Sequence, residues 1–207
     1  MTARLPDQYF ADVYAASPDP WRLAERWYEQ RKYAITTAML PRPRYRHAFE
    51  PGCSVGVLTE LLAARCDAVT ATDVAPAALD AARERLERAG LADGVEFAGR
   101  SLDDDWPTGV DLVVVSEVAY YLSAATFREV LDRECPRLGT GATLVAAHWR
   151  HPVADYPMTG DEVHELIADT ADLHRLGRYR DDDVVIEVFV TGTAVSVATE
   201  TGVPGAV

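Results

Sequence analysis

FEPGCSVGVLTELLAARCDAVTATD (Phe49 to Asp73) places an acid, Glu50, at the end of a short apolar run and then sets Gly52, Ser54 and Gly56 in a turn. An apolar-faced helix from Val57 to Arg65 follows, and then a second apolar run, Ala68 to Thr72, closed by Asp73. Strand, glycine turn, helix and strand in this order form a crossover between parallel strands. Glycine in the turn lets the backbone approach a ligand, and the helix N-terminus offers free N–H groups to an anionic group. A carboxylate ending the second strand can accept both hydroxyls of a ribose.

Outward from this stretch the alternation continues. Arg46 to Glu50 reads as the first strand, Gly94 to Ala98 as the third, Val110 to Glu117 as a central strand buried on both faces, and Ala142 to Trp149 as the fifth. Pro76 opens the helix that Gly90 closes, and further helices are expected at Ala124 to Arg137 and Asp161 to Ala171. Leu173 to Tyr179 and Val184 to Val190 make a closing pair of strands across the turn RDDD. The prediction is an α/β fold of Rossmann-like type, with a seven-stranded, mostly parallel sheet and an antiparallel closing strand. In front of it, Pro6 to Leu40 is helical and aromatic-rich and is broken at SPDP (Ser17 to Pro20), so an N-terminal helical annex is expected. The units are residues 1–45 as helices forming a substrate lid, 46–190 as the cofactor-binding core, and 191–207 as a flexible tail.

The chain has 207 residues, 48% hydrophobic and 26% charged, enough for one well-buried core. A net charge of −13 repels nucleic acid and anionic membranes and favours a neutral or cationic small molecule as partner. Cys53, Cys66 and Cys135 form no paired motif, so neither disulfides nor zinc are expected, and a reducing cytoplasm is the expected location. No apolar run suggests a leader or a membrane span. His148, His151 and His164 share a segment, but their spacing matches no metal site. Lys32 is the chain's single lysine.

Charge and spacing decide the cofactor. A dinucleotide site needs GxGxxG, whereas this chain has GxSxG preceded by an acid. S-adenosylmethionine carries a sulfonium and an ammonium and no phosphate, so the carboxylates Glu50, Asp73 and Glu117 suit it. Gly52, Cys53, Ser54, Gly56, Val74 and Ser116 are expected beside it. In the loop GRSLDDDWP, Asp103 is the candidate acceptor for the adenine amino group, with Ser101 and Leu102 beside the ring.

DPWRLAERWYEQRKY (Asp19 to Tyr33), AFEPGCSVGVLTELLAARCD (Ala48 to Asp67), SEVAYYL (Ser116 to Leu122) and HWRHPVADYPMTGDEVHELI (His148 to Ile167) together resemble nodulation protein S, a family that N-methylates the deacetylated amino sugar of chitooligosaccharide signals. The resemblance spans roughly residues 9 to 190 and departs from methyltransferases at large at Ser54, where glycine is usual. It implies a class I methyltransferase fold, with the N-terminal helices and the loop after the fifth strand as substrate walls. It also implies an S-adenosylmethionine-dependent enzyme acting on an amino sugar or related amine. An O-methyltransferase of a natural product and a non-catalytic cofactor binder are the alternatives.

Methyl transfer from a sulfonium is an in-line displacement, so the protein must align the nucleophile and exclude water. His148, at the end of the fifth strand, is the first catalytic candidate, for assisting the amine, and Glu117, at the end of the fourth, is the second, to hold an ammonium or the cofactor's methionine end. Trp21, Trp27, Tyr28 and Trp149 are candidate sugar-stacking walls, one of Tyr120 and Tyr121 is expected to line the pocket while the other packs in the core, and Arg150 is a polar substrate candidate.

Overall fold

The structure is a computed structural model that describes residues 4–206. Its seven strands are β1 (Tyr45–Pro51), β2 (Cys66–Asp73), β3 (Val95–Gly99), β4 (Leu112–Ser116), β5 (Thr143–Trp149), β6 (Leu173–Arg180) and β7 (Val184–Thr191). They form one sheet in the order β3-β2-β1-β4-β5-β7-β6. Neighbours from β3 to β5 are parallel, and β7 runs antiparallel to both β5 and β6, as the alternation predicts. The helices are α1 (Asp7–Ala16), α2 (Trp27–Ala38), α3 (Val57–Ala63), α4 (Pro76–Ala89), α5 (Ala124–Glu134), α6 (Gly160–Ala168) and the single turn α7 (Val197–Glu200).

The period of two along the strands divides the core into two layers. Val113 and Val115 of β4 face the cluster that holds Phe127 and Leu131 of α5 and Ile167 of α6, while Leu112 and Val114 face Leu58 and Leu62 of α3. Local signals set the helix ends. Pro76 starts α4, and Gly90, at φ +69°, ends it. Thr159 and Glu162 close a reciprocal capping box on α6. Three helices stop earlier than the periodicity suggests, α3 by two residues at Ala63. α5 gives way at Cys135 to a 3-10 turn containing Pro136, which has no N–H to continue the ladder. α6 ends at Ala168, where the chain turns through Thr170, whose hydroxyl donates to Leu166 O, into the left-handed Asp172. In the C-terminal segment, expected to be a flexible tail, Ser196 caps α7 by accepting Thr199 N–H.

Among the described residues no helix is long and apolar enough to cross a membrane. No group of three or more His, Cys, Asp or Glu among them could hold a metal ion.

Candidate active site

The strand order reverses between β1 and β4, the place where open α/β sheets bind ligands beyond their carboxyl edge. A cavity of about 540 Å³ lies there, floored by the strand ends and walled by α1, α2 and the loop between them.

Its first half is built on the β1–α3 turn. Gly52 and Cys53 donate their N–H groups to Thr72 O at 2.7 and 2.9 Å, tying the turn to β2. Gly52 has φ +72°, and a Cβ there would stand 2.8 Å from Val118 Cγ2, so this position needs glycine on two counts. Ser54 is also left-handed, at φ +51°, which explains why glycine suits this position. The serine is held by its N–H to Asp73 Oδ2 at 3.0 Å and by its hydroxyl, 2.5 Å from that of Tyr14. Tyr14 thereby docks α1 onto the turn. Asp73 also accepts Ala75 N–H at 2.9 Å. Burial raises the Asp73 carboxyl above its usual range, against the neighbouring backbone N–H groups that lower it.

Glu50 is 3% exposed, and its Oε2 has no hydrogen-bond partner among the described residues. Burial chiefly, with Asp73 adding and the Thr59 hydroxyl opposing, pushes its pKa up to about 8. The folded chain therefore holds a proton on Glu50 that the unfolded chain releases, and the stability tied to it falls as pH rises from the ordinary carboxylate range through about 8. Glu50→Gln, neutral at every pH, is expected to raise the ligand-free melting temperature at pH 8.5 and to leave it nearly unchanged at pH 5. Scanning calorimetry at both pH values checks this, and an equal shift at both would contradict it.

The second half of the cavity centres on Glu117, which follows β4 at φ +55°. Its Oε1 accepts from Lys32 Nζ at 2.7 Å, and its Oε2 accepts Tyr120 OH at 2.6 Å and Trp149 N–H at 2.9 Å. Lys32 Nζ also lies 2.7 Å from Glu29 Oε2, and it is 2% exposed. Burial alone would lower the Lys32 pKa; Glu117 and Glu29 outweigh it, so the group stays an ammonium. Two carboxylates thus share one ammonium. Around them stand Tyr28, Tyr120, Tyr156 and Trp149, with Tyr120 and Tyr156 stacked at 4.9 Å.

The structure brings Glu50, Gly52, Cys53, Ser54, Asp73, Val74, Ser101, Leu102, Ser116 and Glu117 to the cavity wall, along with Trp21, Tyr28, Tyr120, Tyr121 and Trp149. Five expected residues lie elsewhere. His148 is fully buried beneath the wall: its Nε2 accepts Ala119 N–H at 3.4 Å, and its Nδ1 faces His164 Nε2 at 3.2 Å. Burial first, then His164 and Lys32, hold it well below the usual histidine range, so it is neutral with both nitrogens engaged. Its geometry does not suit an acceptor's base. Gly56 serves helix packing, since a Cβ there would meet Ala82 Cβ at 2.9 Å. Asp103 is not on the cavity wall but lies 3.6 Å from Arg4, which is, and its Oδ1 is buried without a hydrogen bond among the described residues. Trp27, 73% exposed, points to solvent from the first turn of α2. Arg150 is engaged with Asp161 at 2.9 and 3.1 Å.

The cavity also contains residues the sequence reading did not single out for the site: Lys32, Glu29, Tyr14, Tyr156 and Asp183. A signal for the first was in view, because a lone lysine among arginines is a choice of a compact ammonium over a fork.

The family described as nodulation protein S (NodS) matches residues 11–144. A nodulation protein S from Sinorhizobium fredii (strain NBRC 101917 / NGR234) is 34% identical over 193 residues, 86% of each chain. One from Rhizobium tropici is 33% identical over 137 residues, 63% of this chain and 55% of that protein. Among solved structures, a putative methyltransferase from Pseudomonas syringae is 38% identical, with a TM-score of 0.65 over 80% of this chain and 99% of that one. The N-methyltransferase NodS of Bradyrhizobium japonicum WM9, in complex with S-adenosyl-L-homocysteine, shares the fold, with a TM-score of 0.79 at 24% identity over 90% of this chain and 99% of that one.

Proposed function

This chain belongs to the nodulation protein S family of S-adenosylmethionine-dependent methyltransferases, and from that premise we propose that it methylates the nitrogen of an amino sugar or a related small-molecule amine. The observation that carries the acceptor class is the Glu29–Lys32–Glu117 cluster. One ammonium between two carboxylates leaves a net negative charge facing an aromatic pocket, which favours a cationic or amine-bearing guest over an anionic one.

The first half of the cavity fits the cofactor by its own chemistry. Glu50, with an unpartnered buried oxygen, would give up the proton it holds in the ligand-free chain to meet the cationic methionine end, and Asp73 keeps lone pairs for the ribose beyond the Ser54 and Ala75 N–H groups it accepts. Ser101 and Leu102 would flank the base. When bound, the cofactor supplies an electrophilic methyl group. The chain's own residues do the rest. Glu117, fixed by three donors, retains one lone-pair site to orient an amine, and the aromatic walls exclude water and position the acceptor. The N-terminal residues 4–45, which wall the cavity through Tyr14, Trp21 and Tyr28, act as the substrate lid. Three buried, unpaired cysteines accord with a reducing, cytoplasmic setting.

The test uses methyl-labelled S-adenosylmethionine and a panel of glucosamine, its oligomers, simple amines and phenols. Label transferred to an amino sugar is expected. Label on phenols alone makes the chain an O-methyltransferase. Cofactor binding with no label on any acceptor makes it a non-catalytic binder.

A further inference from the structure

The amine acceptor reading leaves one event unassigned. An ammonium has no lone pair, so a proton must leave nitrogen before it can attack, and Glu117 is already held by three donors. The cavity wall also holds Asp183, which begins the return from the β6–β7 turn. Its Oδ1 lies 2.8 Å from His151 Nε2, and its Oδ2 accepts no hydrogen bond among the described residues. Both side chains are 50% exposed. The pair thus has one end in the cavity wall and the other in solvent.

We infer that Asp183 and His151 form the proton exit of the acceptor pocket, with Asp183 taking the amine's proton and His151 passing it to water, an inference that rests on the amine reading. The N–H bond breaks with its electron pair left on nitrogen. The proton goes to Asp183, then across the 2.8 Å contact to His151 Nε2, and the half-exposed ring loses a proton to bulk water. No other reactant is consumed.

Four features hold the pair in place. Arg150 N–H donates to Asp183 O at 2.9 Å, and the Trp149 ring, itself in the cavity wall, packs on His151 at 4.5 Å between centroids. Asp181 Oδ1 accepts the Asp183 and Val184 N–H groups at 3.0 and 2.9 Å, fixing the turn. Arg31 of α2 pairs with Asp181 at 3.0 Å, clamping the turn to the N-terminal wall. The charged and titratable groups facing the pair are Asp181 and Asp182 of the turn, Arg150 of its own loop, and Arg31 and Tyr28 of α2. The Tyr28 hydroxyl, buried without a hydrogen bond among the described residues, lies within the fields of both Glu117 and Asp183.

The experiment measures glucosamine methylation by the full chain and by His151→Ala. The expected result is a fall in kcat of roughly ten- to a hundredfold, below the ~10²–10⁴ of a directly acting general base. KM for S-adenosylmethionine and the melting temperature should not change. Added imidazole should restore the rate saturably in His151→Ala and do nothing in Asp183→Asn/His151→Ala, where the relay's inner member is gone. A merely structural role would not be rescued by a small base. A His151→Ala chain at wild-type rate, or slowed but deaf to imidazole, overturns the proton exit and leaves the amine reading standing. An unaltered chain that binds the cofactor yet does not methylate glucosamine or any other amine sinks the amine reading, and the exit falls with it.

Discussion

Lys32→Ala is expected to lower the folding free energy by about 3–5 kcal/mol, the range for breaking a buried ion cluster by removing one partner. The side chain is 2% exposed, and its ammonium is the shared partner of Glu29 and Glu117, which would be left facing each other in a region of low dielectric. The effect depends on pH in a defined direction. Burial already raises the Glu29 pKa above the usual carboxylate range, against the pull of Lys32. Without the ammonium it rises further, so the folded variant holds a proton that the unfolded chain gives up. The deficit relative to wild type should therefore shrink toward pH 5.5 and widen toward pH 8. Urea unfolding at both values measures it, and Lys32→Met, which keeps the volume, separates lost charge from lost packing. A loss below about 1 kcal/mol that does not change with pH would show the cluster to be energetically idle.

Asp73→Asn is expected to weaken S-adenosylhomocysteine binding by about 30- to 1,000-fold, or ~2–4 kcal/mol. The carboxylate does two jobs at once. It accepts Ser54 and Ala75 N–H groups, holding the left-handed serine in place, and it would accept the ribose hydroxyls with its remaining lone pairs. Asparagine offers one oxygen and one NH2, so one of the two backbone donors would meet another donor in a site only 8% exposed. Some folding stability should go with the affinity, about 1–3 kcal/mol for a buried group left unpaired. If affinity changed less than about threefold while stability fell, Asp73 would be a turn residue only.

Much of this was legible because it is written in short-range patterns. The apolar runs of β4 and β5, Pro76 and Gly90 at the ends of α4, and the spacing from Glu50 to Asp73 each reflect local geometry, and the structure places their residues accordingly. The half of the cavity around Glu117 was harder to see because its defining contacts join distant residues. The buried stripe of α2 is Glu29, Lys32, Tyr33 and Thr36, so a search for apolar periodicity passes over the face that matters and singles out Trp27, which is exposed. His148 misled for another reason. Its position at a strand end suggests a ligand site, yet strand parity puts it with Leu144 and Ala146 on the α6 side of the sheet, where it meets His164. Gly56 was read as a ligand contact, and only the packing of Ala82 against it reveals the other use of a missing side chain.

Titrating S-adenosylhomocysteine into the purified chain by calorimetry, with NADH as the control, tests the cofactor half of the cavity most directly. One-site binding of S-adenosylhomocysteine, weakened by Asp73→Asn, and no heat from NADH are expected. Binding of NADH with no response to S-adenosylhomocysteine would contradict the assignment of Glu50, Ser54 and Asp73 to a methyl donor.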